Sequence, residues 1–68
     1  MSDIGWVRMM ICDYDPVDRV LSDEVIEELL ETTSALWPSR GFRVCERALR
    51  LMGDNELAEQ FAGLNRNG

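Results

Sequence analysis

Residues 22–53 read SDEVIEELLETTSALWPSRGFRVCERALRLMG, and this stretch decides the fold. Ser22 has the side chain of a helix N-cap. Asp23 and Glu24 suit the first turn after it, where carboxylates meet the positive end of the helix dipole. From there Val25, Ile26, Leu29, Leu30, Thr33, Leu36 and Trp37 recur at three- and four-residue intervals along one side. Asp23, Glu24, Glu27, Glu28 and Glu31 line the other side. Pro38 sets the limit, because the residue before a proline is pushed out of the helical region. A helix is therefore expected over residues 22–36. Ser39 is the expected cap of the next, over residues 40–52. In that helix Phe42, Cys45, Ala48, Leu49 and Met52 face inward, with Val44 and Leu51 on a flank. Arg40, Arg43, Arg47 and Arg50 take the opposite side, and Gly53 serves as a left-handed stop. The two helices are expected to pack antiparallel, with Leu29, Leu30, Phe42 and Leu49 in the core.

Downstream, Asp54 is placed to cap a short helix whose apolar face is Leu57, Ala58, Phe61 and Leu64. Residues 65–68 are expected to fray. Upstream, residues 13–20 read as a turn with at most one helical turn, Asp15 as its cap and Pro16 at its first position. Residues 2–14 admit two readings. As a helix, capped by Ser2 or Asp3, they put Ile4, Val7, Met10, Ile11 and Tyr14 on one face and leave Trp6 and Met9 off it. As a strand over residues 6–12 they would need a pairing partner for the backbone, which favours the helix. The expectation is an all-α fold: one domain over residues 1–68, a small bundle of three to four short helices.

Composition narrows the function classes. A chain of 68 residues makes one domain that buries only about 60% of its unfolded surface, a small margin for stability. At 46% hydrophobic residues it is too apolar for a disordered acidic tail. Without histidine, and with Cys12 and Cys45 isolated, it offers no zinc-type ligand set, and no metal or cofactor is expected. The two cysteines read as small buried residues in a reducing cytosol rather than a bridge. No run approaches the ~20 apolar residues of a membrane span. The first apolar stretch, broken by Gly5 and Arg8, does not resemble a secretory leader. Localisation is expected to be cytoplasmic.

Some short stretches resemble parts of larger families. Asp13-Tyr14-Asp15-Pro16-Val17 after an apolar run resembles the nucleophile loop of haloacid-dehalogenase-type phosphotransferases. That resemblance implies Asp13 as nucleophile and Asp15 as acid/base, on a parallel sheet for which 68 residues have no room. With Asp18 they make three carboxylates in six residues, the donor type of a weak hard-cation site, but the glycine of a helix–loop–helix calcium site is absent. Caps and turns are their expected roles. Glu56 to Phe61 with Asn65-Arg66-Asn67 resembles the start of a helix-turn-helix reader, which implies a recognition helix that does not follow within the sequence. Leu49 to Phe61 is similar to the closing helices of death-fold domains, which have six helices. No catalytic residue is expected, since a core this small rarely supports a pre-formed pocket.

The charge is sorted along the chain. Residues 1–39 carry nine acids and two arginines; residues 40–68 carry four acids and five arginines, for a total of −6. Such an acidic chain argues against direct nucleic-acid or anionic-membrane binding. Asp23, Glu24, Glu27, Glu28 and Glu31 form the candidate partner-binding strip. It would act as a phosphate mimic for a basic, nucleic-acid-binding protein, against the plainer reading of a solvated helix face. Arg40, Arg43, Arg47 and Arg50 form a second charged face. Arginines at this spacing repel, so they call for an anionic counterpart, the nearest being the acidic helix of this chain or of a second copy. The expected function is a protein–protein interaction module, a regulator or inhibitor of a larger macromolecule. In size and charge it is similar to phage-encoded inhibitors such as anti-CRISPR proteins. The alternative is an adaptor that homodimerises through Trp6, Met9, Met10 and Trp37.

Overall fold

The computed structural model describes residues 3–67, with side-chain environments through residue 65. It contains four helices and, among the described residues, no strand: α1 (Asp3–Met10), α2 (Asp23–Thr32), α3 (Ser39–Met52) and α4 (Asn55–Asn67). The fold is a small all-α bundle. Residues 3–10 are helical, so the strand reading of the N-terminal stretch is replaced; the Ser2 cap lies outside the described residues. Val7 and Ile11, four residues apart, are buried, whereas Tyr14 at the far end of the expected face is exposed. Trp6, expected off the face, packs against the core.

Helix α1 stops through its own backbone. Cys12 takes a left-handed conformation with φ 59°, its N–H reaches Met9 O at 3.3 Å and the Asp13 N–H reaches Arg8 O at 2.9 Å. This paired bonding is a Schellman end. Helix α3 ends the same way at Gly53, φ 86°, with Gly53 N–H on Arg50 O and Asp54 N–H on Leu49 O. The left-handed stop read at Gly53 is therefore present.

Helix α2 begins as expected, with Ser22 Oγ accepting from the Val25 N–H at 3.3 Å. It ends four residues early. Thr32 Oγ1 donates to Glu28 O at 2.8 Å and Thr33 Oγ1 to Leu29 O at 2.6 Å, while Arg40 donates to Leu30 O through Nε at 3.0 Å and through Nη2. Thr33 and Arg40 thus satisfy the Leu29 and Leu30 carbonyls that a longer helix would have used. Leu36, expected inward, is consequently 87% exposed. Helix α3 takes in Ser39 as its first residue. Its N-cap is Pro38, with no side-chain cap, because the Arg40 and Phe42 N–H groups already bond Leu36 O and Pro38 O. Asp54 caps α4, accepting from the Leu57 N–H at 3.3 Å. That helix continues through Asn67, past the expected fraying point, and Leu64 is exposed rather than inward. Residues 13–20 hold no helical turn; instead Asp15 Oδ1 accepts from the Val17 N–H at 2.9 Å.

Helix α3 is the centre of the bundle and touches all three others. Its Val44, Cys45, Ala48 and Leu49 are buried with Ile26, Leu29 and Leu30 of α2, Val7 and Ile11 from the N-terminal segment, Leu21, and Ala58 and Phe61 of α4. Helices α2 and α3 run antiparallel, Leu30 opposite Arg40 and Val25 beside Leu51. Aromatic rings close one end: Trp6 meets Trp37 edge-on at 5.1 Å and lies 6.3 Å from Phe42, which lies 6.2 Å from Phe61. Gly41 is the floor of this cluster. A Cβ there would strike Trp37 Cζ3 and stand 2.7 Å from Trp6 Cζ3.

Candidate interaction surface

Charge placement starts from a buried arginine that the sequence reading left without a role. Arg8 is only 4% exposed. Its Nη1 donates to the Asp13 carboxylate and carbonyl, each at 3.2 Å, and its Nη2 to Asp23 Oδ1 at 2.7 Å. Asp13, also buried, accepts further from the Val20 N–H at 2.8 Å and the Leu21 N–H at 3.0 Å. A carboxylate whose two oxygens are taken up in this way pins the α1–α2 connection across seven and eight residues. Both oxygens of Asp13 are thus engaged in holding the turn, and the carboxylate is buried. The turn role expected for it was right in kind, but the residue is interior. Among the described residues no group of acids or cysteines is arranged to hold a metal ion.

Asp23 is the member of the acidic strip that the fold uses. It bonds Arg8 and lies 3.8 Å from Arg19. The hydrogen bond from Arg8 holds its carboxyl below the ordinary range, against a smaller opposing effect of burial. Glu24, Glu27, Glu28 and Glu31 are all exposed on α2, and among the described residues no ion pair joins any of them to an arginine.

The arginine face is directed elsewhere. Arg40 caps α2 at Leu30 O. Arg47 Nη1 donates to Thr32 Oγ1 and Thr33 Oγ1 at 3.0 and 2.9 Å. Arg50 bridges Glu46 and Glu59, both at 3.0 Å. Arg43 is exposed and borders a polar groove with Ser34, Glu46 and Asn65. Arg40, Arg47 and Arg50 thus find counterparts, but these are the Leu30 carbonyl, threonine hydroxyls and acids of α3 and α4. The strip of α2 glutamates is left unneutralised.

Of the four residues considered for self-contact, Trp6 is half-buried against Trp37 and the core, and Trp37 stays 42% exposed. Met9 and Met10, one turn further along α1, are 57% and 37% exposed. The cysteines differ from one another: Cys45 is buried as expected, while Cys12 is exposed because it occupies the left-handed turn. Both are free. Burial pushes the Cys45 thiol up to about 12. No helix among the described residues is long and apolar enough to cross a membrane. Comparison with known proteins gives no match to any family model, curated protein or solved structure.

Proposed function

We propose that this protein is an acidic interaction module that docks the α2 glutamates into a basic surface of a larger protein. One observation carries the reading: Glu24, Glu27, Glu28 and Glu31 are exposed on a capped, core-anchored helix, and Arg40, Arg47 and Arg50 of α3 bond to other groups. Helix α2 therefore presents about one negative charge per turn at fixed spacing, which suits a groove that otherwise follows phosphates. A partner that binds nucleic acid supplies such a groove. Occupying it makes the module a regulator or inhibitor by competition, a behaviour similar to that of small phage-encoded inhibitors. The adaptor reading, in which Trp6, Met9, Met10 and Trp37 form a homodimer contact, draws support from the exposure of both methionines and of Trp37.

The test is competitive capture. Immobilised protein is offered a set of purified basic DNA- and RNA-binding proteins, alongside a variant with Glu24, Glu27, Glu28 and Glu31 all changed to Gln. The reading expects binders that the variant does not hold and that added nucleic acid releases. Binders retained equally by both proteins, or unaffected by nucleic acid, contradict it.

A further inference from the structure

The groove between α2 and α3 has opposite charge on its two walls. Val25, Leu29 and Leu51 are its apolar lining, with Glu28 on the α2 side and Arg47 and Arg50 on the α3 side; the volume is about 460 Å³. Leu51 is 61% exposed, a large apolar side chain that the interior of the bundle does not take up. Neither arginine crosses the groove to Glu28. Arg47 turns to the threonine hydroxyls and Arg50 to Glu46 and Glu59.

An apolar strip with Glu28 along one edge and Arg47, which bonds hydroxyls and among the described residues no acid, along the other is its own complement. A half-turn about an axis along the strip lays Glu28 of one copy against Arg47 of the other, twice over. It also brings the apolar linings of the two copies together. A ligand of one charge sign matches one wall and is repelled by the other. From this charge complementarity we infer that the α2–α3 groove is a twofold self-association surface whose occupant is a second copy of this chain. The net charge of −6 on each copy does not prevent this at physiological salt, where repulsion beyond about 8 Å is largely screened. Glu28 is the one residue shared with the partner-binding strip proposed above. Glu24, Glu27 and Glu31 lie off the groove wall, so a dimer shows two acidic strips.

Charge reversal with complementation tests it. Glu28→Arg and Arg47→Glu are prepared separately, and sedimentation equilibrium is run from micromolar to millimolar protein at physiological salt. Wild type is expected to move toward twice the chain mass. Each variant alone sets like charges against each other at both edges and is expected to stay at the chain mass. An equimolar mixture of the two restores opposite charges at both edges and is expected to regain the dimer. Because Arg47 also bonds Thr32 and Thr33, dichroism checks its fold, and Arg47→Gln replaces it if helix is lost, with the expectation that it weakens the wild-type dimer. Leu51→Gln, at an exposed position, is expected to weaken association roughly ten-fold or more, as for an apolar side chain at an interface centre. A monomeric wild type throughout the range overturns the proposal. So does a mixture no better associated than its components, or a dimer abolished by Met9→Gln with Met10→Gln and untouched by the groove variants.

Discussion

Cys12 shows how one residue departs from the best local choice. Its φ of 59° is the region glycine enters freely, and Gly53 does so at the equivalent place in α3. A side chain there costs about 1–2 kcal/mol, so Cys12→Gly should stabilise the protein by about 1 kcal/mol, read from the midpoint of urea unfolding. The same geometry makes Cys12 the accessible thiol, while Cys45, pushed up to about 12 by burial, is shielded. At neutral pH a thiol reagent should label one cysteine quickly and the second only as fast as the chain unfolds. Asp13→Ala removes one of the two carboxylates on a buried guanidinium and the acceptor of two backbone N–H groups, and should cost about 3 kcal/mol. In a domain this small that can abolish folding, which dichroism would show. None of this network was legible in the sequence. Arg8 sits in an apolar run and Asp13 among turn residues, and what joins them is the return of residues 20 and 21 to the end of α1. Such a closure has no signature in spacing.

At the scale of elements, the cap at Ser22, the stop at Gly53 and the cap at Asp54 were legible because each rests on local backbone chemistry. Most of the inward faces of α2 and α3 were legible from their periods. The end of α2 was not. Pro38 set only an outer limit, and the real terminus comes from Thr33 and Arg40 acting on carbonyls of the last turn. Arg47 and Arg50 likewise sit on the expected face, but their partners depended on where that turn ended and how α4 folded back. Leu30→Ala should cost about 2–5 kcal/mol, since Leu30 lies in the core between α2 and α3. Gly41→Ala forces a methyl into the two tryptophan rings and should cost about 1–3 kcal/mol. Tryptophan fluorescence should shift with it, whereas Gly63→Ala, at an open position on α4, should leave both stability and emission nearly unchanged.

For the molecule as a whole, pH dependence separates charges that hold the fold from charges that face outward. Asp23 is held below its ordinary value of 3.8, chiefly by the hydrogen bond from Arg8. A carboxyl lowered on folding gives stability that is complete above the ordinary value and is lost as pH falls through the lower, folded one. Acid unfolding should therefore include a component that Asp23→Asn removes. Cys45 acts at the other end. Its thiol is raised from 9.0 to about 12, so stability should decline as pH climbs between those values, and Cys45→Ala should remove that decline although it lowers overall stability. The α2 glutamates are the outward-facing set, and their pattern was fully legible in the sequence; what they meet was not, because a surface does not name its counterpart. The most direct measurement is the affinity for a captured basic partner across a salt series, for wild type and for the variant with Glu24, Glu27, Glu28 and Glu31 changed to Gln. Glutamine keeps nearly the same helix propensity, so the fold should persist. The account predicts weaker binding by the variant and loss of most of the salt dependence, while Arg43→Gln leaves affinity unchanged. An unchanged affinity and salt slope in the glutamine variant, with loss of binding on Arg43→Gln, would contradict it and assign the interaction to the arginine face.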